Sequence, residues 1–238
     1  MPEPEFFIIK AGSTFDDLIA QKGDFQDWIR AGLGLAQVRI INAEKGETLP
    51  PPETVRAAVI SGAHSMVTQN LPWSLALEAW TREIIAADIP LLGICYGHQI
   101  MGRALGGDVA FNPRGTEIGT REIRCLSAIH DDPLFQGLPE RFKVHVFHSQ
   151  SVIRLPEAAV LLAGNDVEPH QAFRIGNQAW GVQFHPEADA EVTRGYIRNL
   201  AQPLTEEGQD LAGLYATLEE TPHAAALLRR FAVLVNGG

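Results

Sequence analysis

The chain has 238 residues, 45% of them hydrophobic, enough to bury a sizeable core within the size range that α/β folds occupy as one domain. Its 19 basic and 29 acidic residues give a formal charge of -10, which opposes nonspecific attraction to phosphate backbones and anionic lipid. Nucleic acid and membrane surfaces are therefore not expected partners.

The start, Met1-Pro2-Glu3-Pro4-Glu5, is acidic where a secretory signal is basic, and no run approaches the roughly 20 apolar residues that cross a bilayer, so a cytoplasmic location is expected. The two cysteines, Cys95 and Cys125, are too few for a disulfide framework or a cysteine-built zinc site.

In chain order, residues 6–9 read as a short buried strand and residues 15–33 as one amphipathic helix. Strands follow at 35–41 and 57–60, the second ending in the loop Ser61-Gly62-Ala63-His64-Ser65. Pro72 opens a helix to about residue 87, with Trp73, Leu77, Trp80 and Ile84 on one face. Residues 90–94 form an apolar run suited to a central strand, and 98–105 are helical until Gly106-Gly107 stops them. This alternation predicts an α/β fold with a mainly parallel sheet flanked by crossover helices. Shorter strands are expected at 119–125, 143–147, 158–163, 170–175 and 178–184, then two or three helices from Asp189 onward. No linker or repeat divides residues 1–238, so one domain is expected, with a catalytic core over about 55–190 and a helical segment over 189–238.

Gly93-Ile94-Cys95-Tyr96-Gly97 sets Cys95 between glycines directly after a buried strand and directly before a helix, which is the pattern of a nucleophile elbow. The glycines are needed because neighbouring side chains would collide on so tight a turn. The helix that follows aims its N–H groups at the sulfur and is expected to favour thiolate over thiol. A cysteine nucleophile needs a base and a group to orient that base. His185 stands at the end of the strand-like run Trp180-Gly181-Val182-Gln183-Phe184, and Glu187 follows two residues later, placed to accept the other imidazole N–H.

Other histidines point elsewhere. His145 and His148 are three apart on a strand, which sends them to opposite faces and argues against a zinc pair. Cys125 has no elbow and reads as structural, and His130 and His170 read as polar loop residues.

Gly93-Ile94-Cys95-Tyr96-Gly97-His98-Gln99 together with Gly181-Val182-Gln183-Phe184-His185-Pro186-Glu187 resembles the signature pair of the class I (triad) glutamine amidotransferases. The likeness is to the stand-alone branch similar to the amidotransferase domain of GMP synthase, strong over residues 55–190 and looser before them. Asn112-Pro113-Arg114-Gly115-Thr116-Glu117-Ile118-Gly119 and Asp132-Pro133-Leu134-Phe135-Gln136-Gly137-Leu138-Pro139 support it.

The resemblance implies a flavodoxin-like fold and a reaction without metal or organic cofactor. It implies Cys95 as nucleophile, His185 as base and acid, Glu187 as orienting carboxylate, and main-chain N–H groups of Tyr96 and Ala63 as the oxyanion hole. It also implies that Gly62, Gln99, His148, Ser149 and Gln150 hold the substrate. Ala63 and His64, and Ser149 and Gln150, depart from the family's Ser-Gly-Gly-Pro-like and His-Gly-Asp-like loops. Three functions remain open: an ammonia-donating glutaminase working with a separate synthetase subunit, a γ-glutamyl peptidase or hydrolase using the same triad, and a catalytically weak regulatory module of the same fold. The intact Cys95, His185 and Glu187 argue against the third.

Overall fold

The computed structural model describes residues 3–237; Met1 and Pro2 of the acidic start, and Gly238, lie outside the described residues. Its first half runs β1 (Glu5–Lys10), α1 (Asp16–Lys22), α2 (Phe25–Leu33), β2 (Arg39–Asn42), β3 (Val55–Ile60), α3 (Pro72–Ala86), β4 (Leu91–Ile94) and α4 (Tyr96–Ala104). The single helix expected over 15–33 is two helices. Gly23 adopts a φ of 84°, which ends α1, and Asp24 then caps α2 in a box with Asp27. Apolar periodicity runs through the break because both helices cover the same core.

The second half contains β5 (Asp108–Phe111), β6 (Glu117–Cys125), β7 (Arg141–His148), β8 (Gln150–Arg154), β9 (Ala159–Gly164), β10 (Ala172–Ile175) and β11 (Ala179–Val182). β5 and β8 had no counterpart in the sequence reading. They are short and pair only with each other, as a two-stranded antiparallel sheet. The remaining nine strands form one sheet in the order β2-β1-β3-β4-β11-β10-β9-β6-β7. β2, β1, β3, β4 and β11 are mutually parallel, in the order of a flavodoxin-like doubly wound fold, and the strands beyond β11 pair antiparallel. The C-terminal segment holds four helices: α5 (Ala190–Asn199), α6 (Ala201–Glu206), α7 (Leu211–Ala216) and α8 (Pro222–Asn236).

The central parallel strands β1, β3 and β4 are apolar on both faces, and strand alternation divides their side chains between two cores. Phe6, Ile8, Ala57, Val59, Leu92 and Ile94 pack with Ile29 and Leu33 of α2 and with Leu227, Leu228 and Phe231 of α8. Phe7, Ile9, Ala58, Ile60 and Leu91 pack on the other side with Leu77, Trp80 and Ile84 of α3 and with Ile100 and Met101 of α4. Each such side chain, fully buried, contributes about 1.5–3 kcal/mol, so burial fixes this layering more firmly than helix propensity does. The carboxyl ends of β1, β3, β4 and β11 consequently open onto one edge, where doubly wound sheets bind ligands.

Space, rather than an unusual φ, explains the two elbow glycines. A Cβ at Gly93 would lie 2.6 Å from the Gly97 carbonyl carbon, and one at Gly97 would lie 2.6 Å from the Ile60 carbonyl oxygen. Gly97→Ala would push α4 off β3, so an overpacking cost of about 3 kcal/mol is expected. In a chain of this size that lowers Tm by roughly 6–12 °C, measurable by calorimetry; an unchanged Tm would contradict the close packing of α4 on β3.

Candidate active site

Cys95 sits between β4 and α4 with φ 50° and ψ -96°, a conformation that a non-glycine residue adopts only when its surroundings enforce it. They do so through two main-chain bonds. The Cys95 N–H donates to the Val182 carbonyl at 2.8 Å, and the Cys95 carbonyl accepts the Gln99 N–H at 3.0 Å. The first ties the elbow to the end of β11, three residues before His185.

His185 is buried, and its N–H donates to the His145 carbonyl at 2.8 Å. Its Nδ1 lies 2.7 Å from Glu187 Oε1, and both side chains are essentially inaccessible to solvent. A carboxylate there can only accept, so Nδ1 carries the proton and Nε2 keeps its lone pair. That Nε2 is buried and has no hydrogen-bond partner among the described residues. The ring is clamped by a face-to-face stack on Phe147, with centroids 3.6 Å apart and planes 15° from parallel. Phe147 in turn stacks on Tyr196 of α5 at 3.7 Å.

Burial opposes the expected bias toward thiolate. Burial pushes the Cys95 thiol up to about 12 and the charge of Glu187 adds to the rise, while the Tyr96 N–H and the Gln183 side chain act in the other direction. Desolvation outweighs the helix N-terminus because the sulfur lies inside the protein rather than at a wetted helix end. Cys95 therefore rests as a thiol. Without substrate, its alkylation by iodoacetamide is expected to accelerate about tenfold per pH unit between about pH 7 and about pH 10, as the thiolate fraction grows. A plateau beginning near neutral pH would show a preformed thiolate instead.

The loop after β3 is held by Ser61, whose Oγ accepts the Ala11 N–H at 3.0 Å and donates to the Gly62 carbonyl at 2.9 Å. Gly62 faces His185: a Cβ there would lie 3.1 Å from His185 Cε1. Ala63 is not among the described non-glycine residues with positive φ, so alanine is unstrained where the family's loop has glycine. Gly12 lets the loop after β1 approach it, since a Cβ at Gly12 would fall 2.8 Å from the Ala63 Cβ.

Cys95, Tyr96, Ala63, Gln99, His148, Ser149 and Gln150 all line one cavity of about 260 Å³. Gly62, His185 and Glu187 do not line it. The volume lies just under the roughly 300–1,000 Å³ of drug-sized pockets, which suits a molecule the size of an amino acid. A larger concavity of about 1120 Å³ lies at the amino-terminal ends of β1 and β3, between Glu5, Arg39, Pro50 and Arg56, at the opposite edge from the elbow.

The polar groups expected to hold substrate are already partly engaged. Gln99 Nε2 donates to the Gln150 carbonyl at 2.7 Å and to Gln183 Oε1 at 3.1 Å. Gln150 Nε2 donates to Thr68 Oγ1 at 2.7 Å, and its Oε1 is buried without a partner among the described residues. Ser149 Oγ lies 3.0 Å from Thr116 Oγ1. His148 has an acceptor at each ring nitrogen, the Gln150 carbonyl at 3.0 Å and Glu117 Oε2 at 2.9 Å. Burial presses its pKa down, but the hydrogen bond and charge of Glu117 outweigh that and raise it. His148 therefore presents a ring to the cavity but no free nitrogen.

The sequence reading missed Phe15, Met66, Thr116, Tyr196 and Leu200 in the cavity wall. Thr116 lies in a segment that carried the family resemblance; Tyr196 and Leu200 come from the C-terminal helices, where no motif marks them. His64 is bonded through Nε2 to the Tyr196 hydroxyl at 3.1 Å, and that hydroxyl accepts from Thr14 Oγ1 at 2.9 Å. Among the described residues no group of three or more His, Cys, Asp or Glu side chains is arranged to hold a metal.

A cysteine on a strained strand-to-helix turn, with a buried His–Glu pair just past the end of the neighbouring parallel strand, is the arrangement that nucleophilic cysteine catalysis requires. The model of the class-I glutamine amidotransferase family matches residues 33–201, and the chain belongs to that family. It is 37% identical over 144 residues to a GMP synthase (glutamine-hydrolysing) of Aeropyrum pernix, covering 60% of this chain and 25% of that protein. It is 29% identical over 184 residues to a γ-glutamyl-L-1-hydroxyisopropylamide hydrolase of a Pseudomonas species, covering 73% of this chain and 59% of that one. The chain thus spans about a quarter of the first relative and about three fifths of the second. A glutamine amidotransferase structure from Thermotoga maritima shares the fold, with a TM-score of 0.75, 23% identity and full coverage of both chains. Among the described residues no helix is long and apolar enough to cross a membrane.

Proposed function

We propose that the chain hydrolyses the side-chain amide of glutamine through Cys95, His185 and Glu187 and passes the ammonia to a separate synthetase subunit. The observation that carries this reading is the strained Cys95 elbow opening into an amino-acid-sized cavity, with the buried His185–Glu187 pair at 2.7 Å behind it.

In this mechanism the thiol proton passes to His185 Nε2 as the sulfur adds to the γ-carbonyl carbon. Glu187 offsets the charge that forms on the imidazole, and Phe147 keeps the ring in one plane. The oxyanion accepts from the N–H groups of Tyr96 and Ala63, each such donor typically worth about 3–4 kcal/mol. The imidazolium returns its proton to the departing nitrogen, leaving a γ-glutamyl thioester and ammonia. Water, deprotonated by His185, then releases glutamate and restores the thiol.

A second reading, hydrolysis of larger γ-glutamyl amides, is supported by the Pseudomonas relative, which aligns over 73% of this chain. Glutamate release from glutamine and from γ-glutamyl dipeptides, measured side by side on the purified protein, separates the two. Turnover of the dipeptides alone would overturn the glutaminase reading.

A further inference from the structure

Gln183 is fully buried, immediately after β11 and two residues before His185. Its amide orientation follows from its neighbours. Gln99 must turn its NH2 toward the Gln150 carbonyl, 2.7 Å away, and the second hydrogen of that NH2 then meets Gln183 at 3.1 Å. Gln183 can receive it only through Oε1, since a flipped amide would set two donors against each other. Its own NH2 is consequently directed away from Gln99. That Nε2 is buried and has no partner among the described residues, although an unmet buried donor is costly.

Cys95 is its cross-strand neighbour, one step beyond the Val182–Ile94 pair of the parallel strands β11 and β4. The Cys95 N–H is bonded to the carbonyl of Val182, the residue adjoining Gln183, at 2.8 Å, so the elbow and this side chain are held together. The Gln183 side chain also acts on the sulfur in the direction that favours thiolate, alongside the Tyr96 N–H. The other titratable groups whose charge couples to the sulfur are Glu187 and Tyr196, and neither supplies a donor that offsets its burial.

We infer that Gln183 is a catalytic residue whose Nε2–H donates to the Cys95 sulfur as its proton leaves for His185, and that Gln99 is the positioning residue that aims it. The inference rests on the triad reading above. No bond to Gln183 is made or broken: the thiol proton goes to His185 Nε2, the electron pair stays on sulfur, and the Gln183 N–H stabilises the negative charge until it passes into the new carbon–sulfur bond. It also gives Gln99 a task besides holding substrate.

The test is iodoacetamide alkylation of Cys95 in the absence of substrate, followed with pH for the wild type, Gln183→Met, Gln183→Leu and Gln99→Met. Loss of one hydrogen bond to a charged sulfur is expected to slow alkylation about tenfold or more at a given pH for both Gln183 variants. The rate–pH profile should move to higher pH, and Gln99→Met should move it the same way by less. With glutamine as substrate, the Gln183 variants should lose kcat with KM little changed. A folded Gln183→Met or Gln183→Leu protein that alkylates at the wild-type rate across the range, or loses activity through KM alone, overturns the inference. Because alkylation needs no turnover, a wild type that hydrolyses neither glutamine nor γ-glutamyl peptides would defeat the functional reading while leaving this assignment testable.

Discussion

Cys95→Ala is expected to reduce glutamate release from glutamine by about 10⁴-fold or more, because no second thiol lines the cavity and none of its hydroxyls is set on the elbow. The loss should lie in kcat, since the cavity keeps its other walls. His185→Ala should cost a similar factor, for without Nε2 a thiol pushed up to about 12 has no acceptor for its proton at neutral pH. Glu187→Gln is expected to cost somewhat less, roughly 10³–10⁴-fold, by presenting an NH2 to Nδ1 and reversing the tautomer. The double variant Cys95→Ala/His185→Ala should be no worse than either single one, since the two act as a unit. Steady-state kinetics on folded variants checks all four, and full activity of Cys95→Ala on every substrate would sink the triad.

How much of this was legible in the sequence depended on whether the information is local. The Gly93–Gly97 elbow and the His185–Glu187 turn are each contiguous, and each residue's role follows from its immediate neighbours. The parallel half of the sheet was equally readable, because strands buried on both faces appear as unbroken apolar runs at residues 6–9, 57–60 and 90–94. β5 was not, since Asp108–Phe111 is short and half exposed and takes its structure from pairing with β8. Gly23 was missed because the apolar pattern continues across it, while its φ of 84° shows only in three dimensions.

At the site the same division holds. Gly12 matters because it leaves room for Ala63, some 50 positions later, and Tyr196 because α5 folds back to meet Phe147 and His64. Nothing at either position announces those meetings. The error about the thiolate has the same origin: a helix N-terminus is visible in sequence, but the desolvation that outweighs it is a property of the whole interior.

Two buried histidines are expected to make the protein sensitive to acid. Burial lowers His98 to about 3, with the charges of His148 and His170 acting in the same direction and the Gly181 backbone opposing. Burial likewise lowers His145 to about 4, with His185 adding to the shift and Asp189 opposing it. Both are neutral in the folded state and bind protons at about pH 6.5 when unfolded, so their stabilisation is complete above that pH and declines as the pH falls toward 4. At about pH 5 each should have lost about 2 kcal/mol, or about 4 kcal/mol for the pair, a large share of a typical folding free energy. His148 contributes with the opposite sign. Its pKa is raised, so its stabilisation is complete below about pH 6.5 and disappears as the pH rises through the folded value, whereas His64, which burial lowers, adds to the acid limb of His98 and His145. Urea unfolding at about pH 7 and about pH 5 measures the difference. His98→Met, which keeps an apolar contact with Phe173, should reduce it by about 2 kcal/mol, whereas an unaltered difference would mean that His98 is not the neutral buried group its packing implies.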